Sequence, residues 1–219
     1  MARRQIETEY AVIGLGRFGG SLARGLEAVG RSVLGIDANM VRVQELVDEI
    51  SRAVALDATD DDALREIDIA AFNTVIVALE KDFEATALIT TSLKKMGIRN
   101  VICQAGTSRH RDVLLRIGAN RVILAYEDSG ARLAEELANP GMLASMSLGP
   151  NYRLMQVKPP ERLIGHPVKE VEASQVTVAI LLRDNNLMLA PDPATIIAAG
   201  DLLFVAGAPQ PLHAFLEGQ

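Results

Sequence analysis

The stretch Val12–Leu22, V-I-G-L-G-R-F-G-G-S-L, places the tightest constraint on the fold. Gly14, Gly16 and Gly19 follow the spacing G-x-G-x-x-G, with an apolar strand pattern, Tyr10–Ile13, before them and a helical pattern, Phe18–Val29, after them. A strand that runs through such a loop into a helix opens a βαβ unit, and the loop then lies at the carboxyl end of a parallel strand. Gly14 permits the tight turn, Gly16 lets a phosphate approach the backbone, and Gly19 lets helix and strand pack closely. The helix N-terminus adds unpaired N–H groups and the positive end of its dipole. Asp37 closes the second strand 21 residues after Gly16, where a carboxylate accepts from ribose hydroxyls and repels a 2′-phosphate. Together these features predict an adenine nucleotide site.

The rest of the first two-thirds alternates in the same way. Ser32–Ile36, Ala53–Leu56, Thr74–Leu79, Asn100–Cys103 and Arg121–Leu124 read as strands. Helices are expected at Val41–Ile50, after Thr59 as N-cap with Asp60, Asp61 and Asp62 in the first turn, at Asp82–Met96, at Ser108–Ile117 and at Glu127–Ala138. Thr74–Leu79 shows no polar alternation, so both its faces are buried, as in a central parallel strand. The expected class is α/β: a Rossmann-like, doubly wound parallel sheet of six strands, followed by a crossover helix and a small α+β C-terminal domain. The expected domains are 1–140 and 141–219. Asn139-Pro140-Gly141 breaks the last helix, Met142–Ser147 resumes it briefly, and Gly149-Pro150-Asn151 reads as a linker. Beyond it Leu154–Val157, Val176–Leu182, Leu187–Leu189 and Leu202–Ala206 read as strands, Asp184-Asn185-Asn186 as a hairpin turn and Pro211–Glu217 as a closing helix.

Composition excludes several functions. The net charge is −6 with no basic stripe, which argues against nucleic acid, whose binding depends on neutralising phosphates. A single cysteine, Cys103, rules out a disulfide within the chain and reads as a small core residue. The residues from Met1 to Glu7 lack the apolar core of a secretory signal, and no apolar run approaches the ~20 residues of a membrane helix, so a cytoplasmic location is expected.

Two further loops should face the same crevice: Asp57-Ala58-Thr59 after the third strand and Ala78-Leu79-Glu80 after the fourth. Asn39 lies just beyond Asp37, and Phe18 just inside the first helix. Arg17 stands within the glycine loop, where its planar fork of donors could hold a terminal phosphate. An oxidoreductase needs more than a cofactor site, because a group must exchange a proton with the substrate. His110, His166 and His213 have no neighbouring carboxylate in a catalytic pattern and are not spaced as metal ligands, so no catalytic residue is expected.

The segment Ala11–Leu22 resembles the N-terminal domain of the RCK (regulator of K⁺ conductance, or KTN) family, in particular the KtrA/TrkA-type subunits of bacterial potassium uptake systems. Ala55–Asp60, Arg116–Ile123 and Tyr126–Gly130 resemble other segments of the same family. The resemblance runs nearly end to end and is more specific before Ala138. It implies a non-enzymatic regulatory subunit whose dimers assemble into a ring, commonly of eight chains. Such a ring lies on the cytoplasmic face of the membrane beneath a KtrB/TrkH-like potassium transporter and changes shape when ATP replaces ADP. By resemblance, Gly14, Gly16, Arg17 and Gly19 hold phosphates, Asp37 the ribose, and Glu127 a divalent cation, Mg²⁺ or Ca²⁺. Close relatives often carry a lysine where this chain has Gln104, which weakens a phosphate contact there. Val168–Val178 departs from the stretch that binds cyclic di-AMP in some relatives, and that ligand stays open. Asp37 suits NAD(H) as well as ATP or ADP, so an NAD(H)-sensing regulator is the alternative, followed by a small NAD-dependent oxidoreductase.

Overall fold

The computed structural model describes residues 10–139, 141–172 and 175–217. The chain divides into two compact units, the first ending at Ser129 and the second starting at Gly130. The expected boundary at 140/141 lies beyond the helix within which the units part.

The first unit carries β1 (Tyr10–Ile13), β2 (Val33–Asp37), β3 (Arg52–Ala55), β4 (Thr74–Val77), β5 (Asn100–Gln104) and β6 (Arg121–Ile123). They form one six-stranded sheet in the order β3-β2-β1-β4-β5-β6, parallel throughout. The helices are α1 (Arg17–Ala28), α2 (Met40–Gln44), α3 (Asp61–Glu66), α4 (Phe83–Lys95), α5 (Ser108–Arg116) and α6 (Ala125–Ala138), which runs on into the second unit. The period of two along each strand divides the core between the sheet's faces. Ala11, Ile13, Leu34, Ile36, Val75 and Val77 belong to one apolar cluster, while Val12, Val33 and Ile76 belong to another. β1 lies between β2 and β4, so the strand order reverses there, and the loops after β1 and β4 share the crevice at the carboxyl ends.

Local chemistry fixes the helix starts. Asn39, Asp60, Asp82 and Thr107 each cap a helix by accepting from a backbone N–H of its first turn. The cap of α3 is thus Asp60 and not Thr59, whose N–H and hydroxyl both donate to Asp57 Oδ1, at 2.9 and 2.7 Å. α2 is shorter than the expected Val41–Ile50: it stops at Gln44, and turns carry the chain on to Ile50. Leu46 and Ile50 still reach the core. The Glu27 carboxylate accepts from Val33 N–H at 2.9 Å and Ser51 N–H at 2.6 Å, drawing the chain into β3 directly after that turn. Burial alone would raise the Glu27 carboxyl, but the bonds from Ser51 and Val33 outweigh it and hold it below its ordinary range.

The second unit contains β7 (Met142–Ser147), β8 (Arg153–Val157), α7 (Lys169–Glu172), β9 (Thr177–Arg183), β10 (Asn186–Leu189), β11 (Leu202–Gly207) and α8 (Pro209–Glu217). Its five strands form an antiparallel sheet, β10-β9-β11-β8-β7. Met142–Ser147 is therefore an edge strand and not a resumed helix. Gly149-Pro150-Asn151 is the loop of the β7–β8 hairpin, closed by Leu148 N–H on Tyr152 C=O at 2.9 Å, and not a linker. The Asp184-Asn185 turn is as expected, with both residues at positive φ. Met155, Val157, Leu181, Leu203, Val205, Leu212 and Phe215 build a separate core. Asp201, 1% exposed, accepts from Arg183 Nε and Nη2, both at 2.7 Å, and from Ala198 N–H at 2.8 Å, tying β9 to the start of β11. Among the described residues no helix is long and apolar enough to cross a membrane.

Candidate functional site

At Gly14 and Gly19 the glycine loop is held by backbone contacts that leave no room for a side chain. Gly14 has φ +92°, donates to Ile36 C=O at 2.7 Å, and lies where a Cβ would stand 2.7 Å from Ala78 O. At Gly19 a Cβ would stand 1.8 Å from Gly14 O, so this glycine sets how closely α1 approaches β1. A Cβ on Gly16 would meet nothing within 4 Å, because the space above it is open. Gly16 is also the N-cap of α1, and the first turn has neither a side-chain cap nor an acidic residue. The first N–H groups of a helix have no partner within it. In α2, α3, α4 and α5 the capping side chain answers one or more of them; at α1 no such bond is made among the described residues.

Asp37 reaches this loop directly. Its buried carboxylate accepts from Leu15 N–H at 2.7 Å through Oδ2 and from Asn39 N–H at 2.8 Å through Oδ1, and Arg42 Nη1 lies 3.3 Å from Oδ2. The residue expected to read a sugar is therefore also the anchor of the phosphate-binding loop. Asp37→Ala strands the Leu15 and Asn39 N–H groups and is expected to lower the unfolding free energy of the first unit by about 1–3 kcal/mol without any ligand. A urea midpoint equal to that of wild type would show that the loop holds itself.

Two cavities flank the loop, both within the first unit. One, of about 660 Å³, is lined by Gly16, Arg17 and Phe18 from the start of α1, by Ala78 and Leu79 after β4, and by Gln104 at the end of β5. The other, of about 510 Å³, is lined by Gly14, Asp37 and Asn39 and, from the far side, by Asp57, Ala58 and Thr59. Leu79 borders both. The bonds from Thr59 N–H and its hydroxyl hold the Asp57 carboxyl below its ordinary range. The Arg17 side chain is exposed. Gly19 and Glu127 line neither cavity. Glu127 is exposed on α6 and accepts from Ser108 Oγ at 3.1 Å. Among the described residues no group of three or more His, Cys, Asp or Glu could hold a metal ion.

Sequence reasoning missed Arg42 and Asp82, which border both cavities, and Arg24, Lys81 and Tyr126, which line the first; Glu80, expected to face the crevice with Ala78 and Leu79, lines the first as well. Arg24 pairs with Glu49. Arg42 carried the one usable signal, a cation five residues after Asp37 on the helix that Asn39 caps. His110 stacks on Phe83, with ring centroids 4.2 Å apart. His166 Nδ1 lies 2.8 Å from Glu170 Oε2, a pairing not anticipated, and both side chains are solvent-accessible. Cys103 is buried 3.2 Å from Thr90 Oγ1, and burial pushes its thiol pKa up, as expected for a core position.

Ktr system potassium uptake protein A of Bacillus subtilis (strain 168) is 30% identical over 210 residues, covering 94% of this chain and 95% of the relative. Ktr system potassium uptake protein C of the same organism is 29% identical over 206 residues, covering 93% of each. Among solved structures, a GsuK channel bound to NAD superposes with a TM-score of 0.65 at 18% identity; it covers 100% of this chain, which spans 41% of that one. Residues 10–125 match the TrkA-N domain and residues 153–217 the TrkA-C domain, and the chain belongs to the family that joins these two domains.

Proposed function

We propose that the chain is a cytoplasmic, nucleotide-sensing regulatory subunit that gates a membrane potassium transporter by exchanging ATP for ADP, and that it catalyses no reaction. The observation that carries the nucleotide reading is the uncapped start of α1. Its first N–H groups, uncapped by any described side chain, lie by the open space above Gly16, and Asp37 lines the neighbouring cavity. In this reading Gly14, Gly16 and Gly19 shape the phosphate seat, Arg17 and Phe18 border it, and Asp37 and Asn39 face the ribose. Asp57, Ala58 and Thr59 enclose the adenine, and Ala78, Leu79 and Gln104 bound the phosphate end. The potassium transporter comes from the Ktr relatives. Residues 1–140 would form the sensing domain with its crossover helix, and 141–219 a second, regulatory domain.

A ring assembly supplies the energy that one site lacks. A hydrogen bond to a charged group contributes about 1.5–3 kcal/mol, whereas inverting an equilibrium from 1:99 to 99:1 takes about 5.5 kcal/mol. Arg17 on a γ-phosphate cannot do this alone, but coupled sites in a dimer-built octamer can. α6 fits such an assembly, since it buries none of its described residues and exposes Tyr126, Leu133 and Leu137. Glu127 on that helix offers a single carboxylate, so a Mg²⁺ or Ca²⁺ held there would take its remaining ligands from phosphate oxygens or a second copy.

Membrane extracts passed over the immobilised full chain, with Mg²⁺ and either ATP or ADP, test the function. A potassium transporter should be retained to a nucleotide-dependent extent, and Arg17→Ala should lose that dependence while narrowing the gap between ATP and ADP affinity by about 10-fold or more. Retention of no transporter under either nucleotide would remove the regulatory reading. An Arg17→Ala variant with an undiminished ATP preference in calorimetry would remove Arg17 from the switch. Asp37 serves NAD(H) equally well, which keeps an NAD(H)-sensing regulator as the second reading. Thermal shift with ATP, ADP, NAD⁺ and NADH side by side separates the two.

A further inference from the structure

We infer that Glu80 is a charge filter at the distal end of the nucleotide site, penalising a bare terminal phosphate and sparing ligands whose far end is neutral or cationic. The inference rests on the nucleotide reading above. Its basis is the order of the strands. The cavity with Asp37 and Asp57 lies over the ends of β2 and β3, the glycine loop follows β1, and the wall beyond belongs to the ends of β4 and β5. A nucleotide with its sugar at Asp37 and its first phosphates on α1 therefore extends its remaining groups towards Glu80 and Gln104.

The Glu80 carboxylate has a hydrogen-bond partner on this wall. Gln104, buried at the end of β5, donates from Nε2 to Glu80 Oε2 at 3.4 Å. Gly106 lies within contact range as well: a Cβ on it would stand 3.6 Å from Glu80 Cγ and 3.7 Å from Oε1. The nearby cations do not cancel this charge. Arg24 pairs with Glu49 and Arg42 with Asp37, so of the four cations lining the cavity Arg17 and Lys81 are the ones without an ion pair among the described residues. Two such cations facing Glu80, with the Asp82 and Glu45 carboxylates on the same lining, suit a diphosphate better than a bare triphosphate, because like charges repel strongly in a partly enclosed site. A divalent cation on the phosphates would lift the penalty.

Calorimetry of the full chain with AMP, ADP, ATP and NAD⁺, in chelator and then in Mg²⁺, provides the test. In chelator, wild type should bind ADP at least as tightly as ATP. Glu80→Gln keeps the bond to Gln104 and should tighten bare ATP on the order of tenfold, with AMP moving less than about twofold and NAD⁺ not gaining. Mg²⁺ should give wild type most of the same gain for ATP, and Glu80→Asp should keep the wild-type ranking. If Glu80→Gln leaves bare ATP unchanged, or tightens ATP and NAD⁺ together, the filter is wrong while the nucleotide site stands. If wild type binds none of the four, the nucleotide reading fails and the filter with it.

Discussion

Gly19→Ala should destabilise the first unit by about 3 kcal/mol and abolish nucleotide binding, because the new methyl group would need the space held by a backbone oxygen. The clash is with Gly14 O, at 1.8 Å, and no side-chain rotation relieves it. α1 must move away from β1, and the seat above Gly16 is lost with that movement. Gly16→Ala is the internal control, since its Cβ meets nothing within 4 Å and its φ of −67° suits any residue. That variant should keep its urea midpoint to within about 0.5 kcal/mol, a surface-like effect, and lose affinity only through crowding of the phosphates. Urea unfolding and calorimetry on the two variants check both statements. A Gly19→Ala protein with wild-type stability and affinity would mean that helix and strand have slack the structure does not show.

The second large effect belongs to the other unit. Asp201→Ala should destabilise it by about 2–3 kcal/mol, since it leaves the Arg183 guanidinium and the Ala198 N–H without their acceptor. The same pair predicts a pH dependence. The bonds from Arg183, first, and from Ala198 hold the Asp201 carboxyl below its ordinary range in the folded chain. Its contribution is then complete above the unfolded value of about 3.9 and is lost as the pH falls through the lower folded value. Thermal unfolding from about pH 7 down to about pH 3 should show wild type losing stability at the acid end, with a shallower loss in Asp201→Ala. Parallel acid limbs for the two proteins would remove Asp201 from the linkage.

Much of the first unit could be read from the sequence because its central strands, β1, β2 and β4, are buried on both faces. Runs such as Thr74-Val75-Ile76-Val77 have one reading at that length between turn signals. β7 had no such protection. Met142-Leu143-Ala144-Ser145-Met146 is made of good helix formers and lies on a sheet edge, so what makes it a strand is its pairing with β8, a tertiary fact. The Gly149-Pro150-Asn151 loop suits a linker or a hairpin equally, and only the return of Tyr152 to Leu148 decides between them. At the site, the glycines and Asp37 were legible because their chemistry is local. The Glu80–Gln104 contact joins residues 24 apart, and the bond from Leu15 N–H to Asp37 spans 22. No periodicity announces either.

The double duty of Asp37 also limits how this site can change. Admitting a 2′-phosphorylated cofactor would ordinarily start by trading that acidic residue for a small neutral one. Here the same trade unfastens Leu15, and with it the turn on which the phosphates would rest. Sugar preference and loop integrity are thus bound in one side chain, and a lineage that alters the first must find a new tether for the second.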